Sequence, residues 1–173
     1  MDELKGIAFL RAKLNDKRTR VLTRYDFYDM KNITRDFGIS TPPDLRMWMN
    51  ALGWCGTAVD SLADRLVFKE FVQDNFGLNE IYQMNNPDVI FDSAVLSALI
   101  SSCCFIYIYP DSDGYPRLEV VDGGNATGII DPVTGLLTEG YAVLKRDPET
   151  EAPVVEAYFA PRETDYFVNG LPD

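Results

Sequence analysis

The chain has 173 residues, 46% of them hydrophobic, with 12 Gly and 10 Pro, a composition that fits one globular unit with its own core and excludes a largely disordered polymer. It contains no histidine and carries a net charge of −11, which removes the commonest general base, the Ser–His and Cys–His nucleophile pairs and imidazole metal sites. No apolar run approaches the roughly 18–20 residues that span a bilayer, and the start MDELKGIAFLRAKLNDK puts acids where a signal peptide needs bases, so neither a membrane nor secretion by that route is expected.

The charge is unevenly spread. Residues 1–70 hold 12 Lys/Arg against 10 Asp/Glu, and residues 71–173 hold 4 against 17. So acidic a second half argues against a protein that tracks nucleic-acid phosphates by counterion release. The basic run Arg11, Lys13, Lys17, Arg18, Arg20 and Arg24 reads mainly as a solvated helix face, with phosphates or an acidic partner as the other possible contacts.

In chain order, Leu4, Ile7, Ala8, Leu10 and Leu14 predict a helix to about Arg24, its stripe losing apolar character midway. That helix is expected to project or to pack on a partner. A connector follows, and STPPD at 40–44 is a helix-start signal, with Pro near the first turn and Asp favourable there. A helix over about 43–66 places Trp48, Leu52, Cys55, Val59, Leu62 and Leu66 on one face. Gly53 and Gly56 each cost it about 1 kcal/mol relative to Ala, so their expected role is close approach of another backbone. Val67 and Phe68 read as a short strand.

Residues 77–84 predict a brief helix broken by Asn85, Asn86 and Pro87, and Asp88 is expected to cap a helix to about residue 101. The β-branched and aromatic run FIYIY at 105–109 is expected to pair as a hairpin with RLEVV at 117–121. Further strands are expected at 127–131, 137–145, 153–160 and 164–168. The fold class is therefore α+β: amino-terminal helices (about 43–66 and 88–101) packed on a mostly antiparallel sheet built from about 103–168. Residues 1–40 form an amino-terminal helix and connector, and residues 41–173 form the α+β domain. Val59, Leu62, Val95, Leu99, Phe105 and Ile106 are expected mostly in the core, with one of the last two turned outward by strand alternation.

Chemistry is sparse. Cys55, Cys103 and Cys104 lack metal-ligand spacing and read as buried free thiols. The acceptor triplets NIT at 32–34 and NAT at 125–127 are discounted without a secretion signal. The 111–119 segment has alternating carboxylates and a Gly, but it lies between strands, where a hairpin turn is the expectation and a calcium loop is not. Asp88 with Asp92 and Glu149 with Glu151 fall at caps or loop tips, and the tyrosines of the strands read as packing rather than base-stacking groups. No lysine accompanies Gly123 and Gly124, so no phosphate cradle is expected. No catalytic, cofactor-binding or metal residue is assigned, and no cofactor is expected.

Residues 52–71, LGWCGTAVDSLADRLVFKEF, carry more than periodicity. The aromatic, the small pair and the run VDSLADRL resemble the signature helix of the tailed-phage portal proteins. RYDFYDMKN at 24–32 resembles the Tyr-rich segment that follows the first helix of such portals. The order continues with NNPD at 85–88, a helix, a strand at 103–109, NAT at 125–127, DPVTG at 131–135 and AYFAP at 157–161. The resemblance covers nearly the whole chain from Arg24. The chain departs from it at SSCC, 101–104, where many relatives have a Gly before the strand, and portals are usually longer.

The resemblance implies the wing-like, amino-terminal part of a portal, the head-tail connector through which double-stranded DNA is packaged and ejected. It implies a non-enzymatic structural protein in the virion, and in the host cytoplasm during assembly. The implied partners are further copies of itself in a ring (usually a dodecamer), terminase, capsid or scaffold proteins, head-completion proteins and the DNA passing through, with no membrane. Stem, clip and crown are absent from these 173 residues, so a wing fragment or the product of a decayed prophage gene is expected. The alternatives are a non-enzymatic intracellular interaction module unrelated to phage, or an enzyme working through carboxylates alone.

Overall fold

The structure is a computed structural model and describes residues 4–31, 42, 53–161 and 163–172. Helices come first and strands follow: α1 (Gly6–Tyr28), α2 (Trp54–Ala63), α3 (Leu78–Met84) and α4 (Pro87–Ser101), then β1 (Cys104–Pro110), β2 (Pro116–Asp122), β3 (Ala126–Ile130), β4 (Leu137–Arg146), β5 (Pro153–Ala160), β6 (Glu163–Val168) and β7 (Leu171–Pro172). The chain is α+β. Strands β1 and β2 form a two-stranded hairpin, and β3 to β7 form a five-stranded meander in sequence order. Among the described residues every ladder is antiparallel.

Period-2 alternation gives the meander two different faces. Tyr141 and Val143 of β4, with Tyr158 of β5, point to one side and enclose Leu10 and Leu14 of α1. Ala142 points to the other side, where Ala126 and Phe159 meet Val121, Phe105 and Tyr107 of the hairpin. The meander is thus the middle layer, with α1 on one face and the hairpin on the other. Helix α4 lies against both hairpin strands, and the Tyr25 hydroxyl meets Ser97 Oγ at 3.2 Å where α1 passes α4.

This arrangement corrects several sequence expectations. Helix α1 does not project: Leu10, Leu14 and Val21 are its buried residues, and they supply the core that the 43–66 helix was expected to supply. The described part of that second helix is α2, which ends at Ala63; Trp48, Leu52 and the rest of 43–52 lie outside the described residues. Leu62 is 49% exposed and Ile106 is on the outward side of β1, while Val59, Val95, Leu99 and Phe105 are only half-buried. The described part of that stripe packs against α4 and α1 rather than on a sheet, and its apolar side chains stay partly open.

Residues 66–71 form no strand. Phe68 instead stacks on Phe91 of α4, ring centroids 4.1 Å apart, in a cluster with Phe71 and Tyr82. Aromatic packing there replaces a ladder that would have had no neighbouring strand. Asp88 is not the α4 cap: Asn86 holds that position with Pro87 first, and Asp88 sits in the first turn. Gly56 does serve close approach, since a Cβ there would lie 3.1 Å from the Tyr28 carbonyl oxygen at the end of α1.

Candidate functional site

The densest chemistry lies between α1 and the meander. Glu139 and Glu156 are 2% and 3% exposed, and each occupies a strand position in phase with the buried tyrosines. Glu139 accepts hydrogen bonds from the main-chain N–H of Lys5 (2.7 Å), the N–H of Gly6 (2.9 Å) and the Tyr158 hydroxyl (2.8 Å). A helix leaves its first N–H groups without partners, and an anion at that end also meets the positive end of the macrodipole. No side chain of α1 caps it; the sheet does so with Glu139.

Glu156 accepts from Arg11 Nε (3.0 Å) and Nη2 (2.7 Å) and from the Tyr141 hydroxyl, a two-pronged guanidinium–carboxylate pair. Burial pushes the Glu139 carboxyl up, but the hydrogen bonds from Lys5, Gly6 and Tyr158 outweigh it and leave it below its ordinary value. Burial, then Glu139, pushes Tyr158 up to about 12. Burial, then Glu156, raises Tyr141. The hydrogen bond to Glu156 raises Arg11.

The remaining basic residues of α1 continue the same contact. Lys13 Nζ donates to the Gly128 carbonyl (2.7 Å) and Lys17 Nζ to the Ala126 carbonyl (2.6 Å). Arg18 pairs with Glu151 at 2.8 Å, and Arg24 donates to the Ser101 carbonyl at 3.2 Å. The run that sequence assigned mainly to solvent is turned largely onto the chain's own acidic half. Arg20 stays exposed. Chemically, the arrangement is a latch: its carboxylates have their donors in place and its cations are engaged. A polar cavity of about 330 Å3 lies beside it, lined by Arg11, Asn15, Arg146, Glu156 and Asn169. Arg146 is itself held by Asn125 (2.8 Å) and the Glu151 carbonyl (2.9 Å).

The acidic positions weighed from sequence are placed apart. Asp111 accepts from Arg117 Nε (2.8 Å) and the Ser112 N–H (2.6 Å) inside the β1–β2 turn, and Arg117 holds its carboxyl below the ordinary range. Asp88, Asp92 and Glu149 are exposed. Among the described residues no group of three or more His, Cys, Asp or Glu side chains is placed to hold a metal. The three cysteines are free, but Cys55 is exposed and Cys103 and Cys104 are half-buried, which corrects the expectation of buried thiols. Among the described residues no helix is long and apolar enough to cross a membrane.

The surface has its own features. Trp54 is 78% and Phe76 86% exposed, with Val67 and Val72 also open, so the stretch from α2 to the start of α3 carries several exposed large apolar groups. Sequence reasoning missed Glu139, Glu156 and Arg11 as partners. The available signal was period: Glu139, Tyr141 and Val143 alternate in β4, as do Glu156 and Tyr158 in β5, so the carboxylates share the phase of the core. Compared with protein-family models and with curated proteins, the chain matches none.

Proposed function

We propose that this chain is the wing-like part of a tailed-phage portal, a structural component of the head-tail connector through which double-stranded DNA enters and leaves the capsid. The observation that carries the reading is the order of segments: RYDFYDMKN, then VDSLADRL, then the NNPD break, a helix, a strand and the later turns. In support, the break at Asn86 and Pro87, helix α4 and strand β1 fall at the positions this order requires. The exposed apolar groups of the stretch between α2 and α3 suit a subunit that buries surface against neighbours in a closed ring, where interfaces are heterologous. The role is non-enzymatic: the two buried carboxylates hold α1 and present no open acid–base pair. Its partners would be further copies, terminase, capsid or scaffold and head-completion proteins, in the virion and in host cytoplasm during assembly. The runner-up, an interaction module unrelated to phage, is favoured by the same exposed apolar groups.

The test is affinity purification of the tagged chain from lysing cells of the strain that encodes it. Recovery of terminase and capsid proteins, with labelling at one capsid vertex by electron microscopy, is the expected result. Recovery of neither, with no vertex label, refutes the portal reading.

A further inference from the structure

An open sheet edge is a template for another strand, and proteins usually block such edges with charged side chains, bulges or cover. This chain blocks two of its long edges with its own side chains. On β3, Ala126 and Gly128 turn their carbonyls outward, and Lys17 and Lys13 cap them at 2.6 and 2.7 Å. On β2, Asn85 acts as a one-residue strand: its Nδ2 donates to the Pro116 carbonyl (3.0 Å), and its Oδ1 accepts from the Leu118 N–H (3.1 Å). Strand β7 is 2 residues long and half proline, too short to act as a template.

Strand β1 is different. In an antiparallel ladder, residues alternate between pairs that exchange both main-chain hydrogen bonds and pairs whose groups point away. Asp111 N–H donates to the Tyr115 carbonyl at 2.7 Å, which fixes the phase. Tyr109, Tyr107 and Phe105 then bond to β2, while Ile108 and Ile106 turn their N–H and C=O to the other edge. The Asn85 contacts confirm that phase, because Leu118 is the partner of Ile108 and Pro116 the partner of Pro110. Among the described residues no hydrogen bond reaches the outward groups of Ile106 or Ile108. Beside them lies an apolar cavity of about 280 Å3, lined by Ile106 and Ile108 and by Leu137, Gly140 and Phe159 of the meander. Ile108 is 64% exposed, and Ile130 and Leu136 lie open at the neighbouring β3–β4 turn.

We infer that the free edge of β1 is a docking site for an extended segment of a partner protein, added as a further strand with alternate apolar side chains in the cavity and Lys or Arg between them. The unmet main-chain groups call for an extended backbone, and the cavity calls for apolar side chains at every second residue. Charge decides between occupants. Strand β1 carries no charged residue, and residues 71–173 hold 17 Asp/Glu against 4 Lys/Arg, so a second copy's β1 would bring two strongly acidic halves together. A basic segment is attracted by the same field. Docking of this kind does not depend on the portal reading.

The probe is a fluorescein-labelled peptide of alternating valine and lysine, matched to the 7 residues of β1, followed by anisotropy and by amide hydrogen exchange on the full chain. Ile108→Pro removes one outward N–H and none that β2 uses, so the hairpin keeps its ladder. The expected result is saturable binding that Ile108→Pro weakens at least about tenfold with an unchanged thermal midpoint. In the free chain the amides of Ile106 and Ile108 should exchange at least about tenfold faster than those of Tyr107 and Tyr109, and the peptide should protect them. Equal binding to Ile108→Pro, no binding to the parent chain, or slow exchange of Ile106 and Ile108 without peptide overturns the inference. A concentration-dependent dimer that Ile108→Pro abolishes overturns the assigned occupant in favour of a second copy.

Discussion

Removing the Glu139 carboxylate should loosen α1 from the sheet, and the size of the effect follows from its contacts. Glu139→Ala deletes the acceptor of two helix N–H groups and of the Tyr158 hydroxyl. The N–H groups of Lys5 and Gly6 lie near the surface and water replaces their partner, at about 0.5 kcal/mol each. Tyr158 is buried, and its unpaired hydroxyl costs about 1–2 kcal/mol. Loss of an anion at a helix amino terminus adds about 0.5–1 kcal/mol. The total is about 3 kcal/mol, which for a chain of this size lowers Tm by about 6–12 °C.

Glu139→Gln keeps the shape and one acceptor, and should cost less. The two variants also differ from the parent in pH dependence. The folded-state carboxyl is depressed below its ordinary 4.5, so its contribution is complete above that value and is lost as pH falls through the folded value. The Tm gap between parent and Glu139→Gln should therefore be constant near neutrality and close below about pH 4.5. Differential scanning fluorimetry from pH 3 to 8 (~0.5-unit steps) measures both. A loss below about 1 kcal/mol at pH 7, or a gap that does not change with pH, would refute the latch.

Arg11→Ala leaves Glu156 buried beside Tyr141 alone and should cost about 2–4 kcal/mol in urea unfolding; adding Glu156→Gln should recover part of that, since breaking one member of a buried pair costs more than removing both charges. Of the three thiols, Cys55 should react first with a disulfide reagent at pH 7.5–8 (approximately) because it is exposed, whereas burial raises the Cys104 thiol; Cys55→Ser should abolish the fast phase, and its persistence would contradict the placement of α2. With most of its basic run engaged by other parts of its own chain, the protein should bind duplex DNA weakly and lose that binding as salt rises in a filter-binding series. Nanomolar, salt-resistant binding would contradict both this arrangement and the portal reading.

Local signals determined the second half of the molecule before any tertiary contact is known. Proline, glycine and aspartate turns bound short β-branched runs, so the expected strands at 137–145 and 153–160 coincide with β4 (Leu137–Arg146) and β5 (Pro153–Ala160). The turn at 131–135 follows the same logic, since Asp131 accepts from the Val133 N–H and the Thr134 hydroxyl within three residues. Helix α4 was equally legible, because Pro87 cannot continue the preceding helix and can start the next.

The sequence left open which helix covers the sheet. The inward-facing line of α1 runs Leu10, Leu14, the half-buried Lys17 and Val21, and a lysine in a stripe reads as a break. Only the fold shows that Lys17 reaches the edge carbonyl of Ala126. Likewise Glu139 and Glu156 fall in the phase of the core, but nothing local says what pairs with them until Lys5, Gly6 and Arg11 are brought to them across more than 130 positions of chain. A buried charge is stable only with its partners in place. Those partners lie on another element, so composition and period reveal the strand but not what it holds.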